Sequence, residues 1–531
     1  MDYDIVIIGG GPNGETVGSY LAKAGARCLI IERRDEMGGG LITEDFGGFR
    51  FNLHATYSMM MDKAPPNKDL FLAQYGASAI RPEVQLHYAP RGKNSLAVYS
   101  DSAKTAKSIS RFSQNDADAF SKMYSDLVEM NEQYIIPLHY VPPPTPEEQE
   151  SRLSRSDIGR KVLQIASMSP LEILDHYGIE DDSVRAAAIY AGCLWGVEPS
   201  TRGVGHMFAF FLYRMTNAGL VSGGSHRLSS SLLRSYYENG GEVMENTIAK
   251  KVIVKDGRAT GVVTESGMEV SAKAIVSTLN PHQTFLELVG EEYWDADIVR
   301  AAKQWKWDHW AMFMVHMGVK GLPVYKDKNG EGKSGALLQL IGYNSLDDIL
   351  EHWNDCARGK MPSPAGGWTN TSEIDPTQAP EGFHTVRMET QAPFEVPRTD
   401  WEDLKNSYGE SCIDEWRSAV DNPKDIVILK KYYYPPIYLE MKLPTMKLGS
   451  IKHGAYIPSQ MGHLRPNKSC SGTRTPVKGF YVAGASVHPG GMVTLGPGYI
   501  AVNAIAQDLG ISPWWPTPEF LSRARKEQLI A

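Results

Sequence analysis

The stretch DIVIIGGGPNGETVGSYLAKAGARCLIIE, Asp4 to Glu32, decides how this chain begins to fold. Asp4 to Ile8 reads as a short, mostly apolar strand, and a helix is expected from about Asn13 to Ala24. Gly25 ends that helix, and Cys28 to Glu32 forms the next strand. The result is one strand–helix–strand unit. Between its first strand and its helix lies Gly9-x-Gly11-x-x-Gly14, with Gly18 four residues on. The first glycine permits a tight turn, the second lets backbone N–H groups approach a pyrophosphate, and the third allows close helix–strand packing. The helix N-terminus then faces the phosphates. A glycine pattern alone is weak evidence. Here the strand, the helix and an acid at the expected distance accompany it.

That acid, Glu32, stands where a carboxylate accepts hydrogen bonds from ribose hydroxyls. It would repel a 2′-phosphate, so FAD or NAD is favoured over NADP. Arg33 is adjacent, and Gly38-Gly39-Gly40 follows within a turn or two. A second glycine cluster so close behind lets the chain cross beneath an extended dinucleotide.

The chain has 531 residues, which predicts two domains or one with large insertions. Its 42% hydrophobic and 22% charged residues are ordinary for a globular protein, and its net charge of −8 argues against a nucleic-acid partner. Five cysteines are scattered without a C-x-x-C pair, which suits neither a zinc site nor a disulfide framework. A reducing, cytoplasmic location follows, and the strand beginning within four residues of Met1 leaves no room for a signal peptide. No apolar run reaches the roughly 20 residues of a membrane span. From about Gly76 to Gly219 the period is mostly helical, with polar starts at Ser113 and Ser169. Short alternating strands follow between Glu242 and Ser277, with turns at Gly257 and Gly267. Trp310 to Val319 and His384 to Thr390 alternate as strands, and helices are expected over Ser345 to Arg358 and Trp401 to Val420.

Several of these segments resemble the phytoene desaturase-type FAD oxidoreductases of the amine oxidase-like group. The fingerprint, then Glu32-Arg33, then the glycine cluster, then Gly48-Phe49-Arg50-Phe51-Asn52 follow that family's N-terminal pattern. At Gly40 the chain departs from it, since many relatives carry arginine there. Thr475 to Gly484, continuing through His488-Pro489-Gly490-Gly491-Met492-Val493 to Gly496-Pro497-Gly498-Tyr499, looks like the family's last strand, loop and helix. Gly223-Gly224 looks like another family segment and puts Ile248 at the adenine. Asp375 to Gly382 and His453-Gly454 resemble the subgroup of "pyridine nucleotide-disulphide oxidoreductase domain" proteins, although no disulfide chemistry follows without a C-x-x-C pair.

The resemblance implies an α/β fold: a discontinuous Rossmann-like FAD-binding domain of the amine oxidase/glutathione reductase type (residues 1–75, 220–300 and 445–531), with an inserted α+β substrate domain (76–219 and 301–444). It implies FAD held by Gly9, Gly11, Gly14, Glu32, Arg33, Gly39, Gly40, Ile248, Gly484, Gly491, Met492 and Val493. A C–H hydride from a hydrophobic substrate would go to flavin N5 and leave a C=C bond, with an electron acceptor such as O2 or a quinone. An isomerase or saturase of a terpenoid or polyene is the alternative, and an FAD-binding protein without turnover a third. No second glycine fingerprint is present: the Gly484 loop has the wrong spacing, and Gly366-Gly367 has no preceding apolar strand. A dedicated nicotinamide domain is therefore not expected.

Other residues are open to two readings each. His54 could be an acid/base, a hydrogen bonder or a covalent tether, and His453 could line the cavity; packing or hydrogen bonding is the simpler role for both. His488 reads as a loop hydrogen-bonder. Tyr432-Tyr433-Tyr434 could offer a hydroxyl, but an edge strand with alternating aromatics is favoured. Trp514-Trp515, with the basic stretch Arg523 to Lys526, is compatible with peripheral contact to a membrane and equally with an arm docking on a partner protomer.

Overall fold

A computed structural model describes residues 1–327 and 335–531. The opening unit forms as its residues dictate. The strand Tyr3–Ile8 pairs in parallel with Cys28–Ile31, and Pro12–Lys23 forms the fingerprint helix between them. Both strands are covered on both faces. This is why they read as unbroken apolar runs rather than as alternating ones.

The first sheet has seven strands, and the nine-residue strand Glu269–Ser277 ties it together. Its first half pairs antiparallel with Arg258–Thr264, at the end of a meander that turns at Gly257 and Gly267. Its second half pairs in parallel with Tyr3–Ile8 on one side and Phe480–Val482 on the other. Residues far apart in sequence thus lie within one strand's width of the fingerprint.

The second sheet also has seven strands, in the order Val427–Tyr434, Ala311–Lys320, Phe383–Ala392, Gly366–Asn370, Leu338–Ile341, Val84–Tyr88, Leu96–Tyr99. One detail differs from the sequence expectation. Residues 84–99 are strands, not helix: Gln85 and His87 are buried along with their apolar neighbours, so the strand lacks a clean alternation. Gly366-Gly367 lies inside a strand of this sheet, where a Cβ on either residue would stand within 3 Å of a neighbouring segment. Tyr432 to Tyr434 do end an edge strand.

The two central strands obey a strict period of two. Phe313, Val315, Met317, Val386 and Met388 pack with Trp401, Tyr408 and Trp416 of the helix Trp401–Ser418. Met312, Met314, Arg387 and Glu389 face the other way, into a cavity.

Helices fill 102–215, and Ser113 and Ser169 cap two of them by accepting from the N–H groups of Asp116 and Glu172. Among the described residues no helix is long and apolar enough to cross a membrane. The C-terminal tryptophans pack within the chain. Trp514 stacks on Tyr20 at 5.4 Å and donates to its carbonyl, and Trp515 donates to Asn503 Oδ1. Leu521, Ala524, Leu529 and Ile530 are buried behind them, so the tail folds back on the fingerprint helix because its apolar side is covered there.

A Cβ on Gly14 would stand 2.2 Å from the carbonyl oxygen of Gly9, a backbone atom that cannot swing aside. Gly14→Ala is therefore expected to destabilise the protein by about 1–3 kcal/mol, the usual cost of overpacking. The check is the midpoint of thermal unfolding, and an unchanged midpoint contradicts the packing role.

Candidate active site

A cavity of about 520 Å³ lies between the first sheet and the second. Its volume is that of a ligand or cofactor site. On the first-sheet side Gly9, Gly11, Glu32, Arg33, Gly39 and Gly40 line it, and Ile248 joins them from the start of the meander. Gly491, Met492 and Val493 close in from the C-terminal segment, and His54 and His453 also reach the wall. Gly14 and Gly484 do not line it. Gly14 is occupied in helix–strand contact, and Gly484 lies so close to the carbonyl of Thr278 that a Cβ would stand 2.3 Å from it. Ala485 takes the place on the wall expected of Gly484.

The cradle is built by backbone. The fingerprint helix starts at Gly11 with no side-chain cap, so its first N–H groups have no protein acceptor from that source. The helix Gly496–Leu509 has no cap from its own N-cap residue Leu495, but its Gly498 N–H donates to Asn13 Oδ1 at 3.2 Å and its Gly496 N–H to Thr494 Oγ1 at 3.4 Å. Two helix N-termini are thereby fixed side by side. Both place the positive ends of their dipoles at one spot. Leading into the second helix, Met492, Val493 and Leu495 hold φ values of 66°, 54° and 59°. The left-handed region is costly for a β-branched residue such as Val493 and is maintained where the surroundings over-determine it. Those surroundings are visible: Tyr456 hydroxyl accepts from Gly491 N–H at 3.0 Å, and Lys452, ion-paired with Asp308, is buried against Trp310 and Tyr456.

Glu32 is 8% exposed. Its Oε2 accepts from Gly10 N–H at 2.7 Å and its Oε1 from Arg34 N–H at 2.9 Å, so it shapes the glycine turn as well as facing the cavity. The side chain of Arg33 points to solvent, while Arg34 turns inward to the Gly39 carbonyl at 3.4 Å. Gly39 crosses Gly11 so closely that its Cβ would lie 3.1 Å from the Gly11 Cα. That crossing is the physical reason for the second glycine cluster.

The second-sheet wall is apolar, with Trp195, Met312, Met314, Leu439 and Ile451, except at Arg387, Glu389 and Tyr57. Arg387 and Glu389 form an ion pair of 2.6 Å with both side chains almost wholly buried. Sequence reasoning did not single out this pair. Its signal was present in Val386-Arg387-Met388-Glu389, where charged residues alternate with apolar ones on a strand whose other face is core.

The histidines are set by burial. His54 Nε2 lies 2.8 Å from the Tyr434 hydroxyl, which itself donates to the Tyr438 carbonyl at 3.1 Å. Nε2 of His54 is therefore the donor, and its Nδ1 has no protein partner. Burial, then the charges of Arg34 and Arg387, push His54 down to about 3. Burial and then the charge of Arg465 do the same to His453, also to about 3. Both rings are neutral near pH 7 and carry no proton to give as acids. His488 is a loop hydrogen-bonder through Nε2 to the Leu138 carbonyl, at 2.8 Å, and lies off the cavity wall.

Residues 7–74 match the family described as an NAD(P)-binding Rossmann-like domain. The chain is 38% identical to a limonene dehydrogenase subunit of Castellaniella defragrans, over 99% of this chain and 98% of that protein. It is 21% identical to the neurosporene-forming phytoene desaturase of Rhodobacter capsulatus, over 94% and 93% of the two chains. Among solved structures, a putrescine oxidase with bound putrescine superposes with a TM-score of 0.60 at 13% identity, covering 96% of this chain and 99% of that one. This last likeness concerns the fold alone.

The buried histidines set a pH dependence. His54, His453 and His488 lie at about 3, and His139, His206 and His352 at about 4, all lowered first by burial. Below about 6.5 the unfolded chain binds protons at these positions and the native chain does not, so stability falls as pH falls from 6.5 toward 4. Glu15, Asp69 and Glu198 are raised by burial, Glu198 to about 7, and act in the opposite sense, but they are three against these six. The free energy of unfolding is expected to drop steeply between pH 6.5 and 5, by up to about 1.4 kcal/mol per pH unit for each histidine, and the melting temperature with it. A flat profile across that interval contradicts these assignments.

Proposed function

Because the chain belongs to the phytoene desaturase-like family of oxidoreductases, we propose that it is an FAD-dependent dehydrogenase that removes hydride from a hydrophobic organic substrate and leaves a C=C bond. The observation that carries this reading is the continuity of one cavity, from a glycine cradle at the fingerprint helix N-terminus to a wall of methionine and tryptophan.

The residues present fit FAD. Gly9, Gly11 and the N-terminus at Pro12 and Asn13 would hold the pyrophosphate, where unpartnered N–H groups and helix dipoles favour negative charge. Glu32 would take the ribose and Ile248 the adenine. Gly491, Met492 and Val493 would lie against the pyrimidine side of the ring. FAD bound there supplies a hydride acceptor.

The chain's own residues then position the substrate and keep water out. Trp195, Met312, Met314 and Ile451 offer an apolar, adaptable surface, as methionine-lined walls do. Neutral His54 and His453, with conjugate acids near 3, are poor proton acceptors near pH 7. Either ring acts instead as a fixed part of the wall.

Anaerobic mixing of the purified yellow protein with alicyclic and terpenoid compounds is expected to bleach the flavin. NADH and NADPH at millimolar concentration are not expected to do so, since the sequence carries no second glycine fingerprint for their phosphates. Saturable reduction by either nicotinamide faster than about 1 s⁻¹, within the ordinary range of turnover, overturns the reading in favour of a reductase. A second check concerns Glu32. Glu32→Ala leaves a ribose and the Gly10 N–H without their acceptor, and FAD affinity should fall by about 1–3 kcal/mol. Equal affinity in variant and parent shows that the ribose is held elsewhere.

A further inference from the structure

On the otherwise apolar second-sheet wall, one polar point is incompletely satisfied. Arg387 and Glu389 stand two residues apart on the same face of the strand Phe383–Ala392, 2% and 3% exposed. Their ion pair uses Arg387 Nη1 and Glu389 Oε2. Arg387 Nη2 meets Met314 Sδ at 3.1 Å, and Nη1 also approaches the Tyr57 hydroxyl at 3.5 Å. That hydroxyl donates to Thr369 Oγ1 at 2.8 Å, because the Thr369 hydroxyl already donates to the Leu337 carbonyl at 2.7 Å. Two atoms are left over. Arg387 Nε, a donor, and Glu389 Oε1, an acceptor, have no protein partner.

Nothing across the sheet completes them. In the antiparallel register Met314 stands opposite Glu389 and His316 opposite Arg387. Burial first, and then the Arg387 charge, hold His316 neutral, and neither of its ring nitrogens has a partner. A buried pair that served only to stitch the sheet would be expected to have its remaining valences met by neighbouring protein, since unmet ones are destabilising. Here they remain open on residues that line the cavity.

The chemistry of the missing partner can be read from the pair. A substrate carboxylate would add a charge beside Glu389, and an amine would add one beside Arg387, so the group is neutral. A hydrocarbon would leave donor and acceptor both unmet. A carbonyl or ether can accept but has no proton for Glu389. A hydroxyl does both.

We propose that Arg387 and Glu389 are specificity-determining residues that anchor a hydroxyl group of the substrate. Its oxygen accepts from Arg387 Nε, and its proton is donated to Glu389 Oε1. The substrate is then an alicyclic or isoprenoid-like alcohol whose carbon skeleton lies against Met312, Met314 and Trp195. The inference rests on the dehydrogenase reading and narrows its substrate class.

The test is ligand binding to the FAD-loaded protein, followed by calorimetry and by perturbation of the flavin spectrum. The probes are menthol, its methyl ether and p-menthane, which share one saturated skeleton. Menthol is expected to bind at least about tenfold more tightly than p-menthane, with the ether between them. Removing one charge alone would strand the other, so the informative variant replaces both: Arg387→Met with Glu389→Leu, an apolar exchange that buried pairs tolerate. It should abolish the preference for menthol and bind p-menthane at least as tightly as the parent does, because no polar atom is then left unmet beside the hydrocarbon. Equal affinity of the parent for menthol and p-menthane, or a double variant that keeps the preference, overturns the anchor. If hydrocarbons also bleach the flavin in that case, the dehydrogenase reading stands without it. A protein that takes up no flavin overturns that reading instead, and calorimetry still ranks the three probes on the same protein.

Discussion

Two helices begin side by side, one uncapped and the other met at its N-terminus by a side chain of the first, and much of the site follows from that arrangement. The fingerprint helix starts at Gly11, the closing helix at Gly496, and Asn13 Oδ1 joins them through Gly498 N–H. Uncapped helix N-termini are unfavourable unless something negative meets them. Bringing two together requires backbones closer than side chains allow. A Cβ on Gly498 would lie 2.7 Å from the Asn13 carbonyl oxygen, and one on Gly14 still closer to Gly9. The left-handed run at Met492 and Val493 belongs to the same constraint. It turns the chain sharply into the second helix and is buttressed by Tyr456 and by the buried Lys452–Asp308 pair.

The second sheet solves a different problem. A sheet between a helix and a cavity has two faces with opposite requirements, and strict alternation along Ala311–Lys320 and Phe383–Ala392 meets both. One face gives Trp401 and Trp416 a close-packed partner surface, with Trp368 stacked on Trp416 at 5.6 Å between ring centroids. The other face is methionine-rich and carries the single ion pair. A one-residue slip in register would exchange core for cavity along the whole strand. The ten-residue pairing between these two strands therefore specifies the cavity wall as firmly as it specifies the core.

On the second-sheet wall of this cavity charge is carried by Arg387 and Glu389. Burial first, and then the charges of Arg34 and Arg387, hold His54 neutral. Burial disfavours the charged form of Arg387, but the Glu389 carboxylate beside it outweighs this and raises the guanidinium above its ordinary value. Such a site favours orientation and exclusion of water over proton traffic through imidazole.

How much of this was legible beforehand depends on the range of the interaction. The opening strand–helix–strand unit, the serine caps at Ser113 and Ser169 and the edge strand at Tyr432 to Tyr434 are local, so propensity, spacing and capping chemistry determined them from the sequence. The same holds for the glycines of the cradle, whose reason lies in backbone approach at fixed spacing. Residues 84–99 escaped because burial on both faces hides polar Gln85 and His87 and erases the alternation. The tryptophans of the tail were ambiguous because an apolar side chain shows what it avoids, not which surface covers it. Only the folded chain decided that the surface is Tyr20. Arg387 and Glu389 depended on the tertiary structure in the same way. Two charges at alternate positions could face water or core, and it is the pairing across His316 and Met314, with the helix Trp401–Ser418 filling the opposite face, that turns both into the cavity.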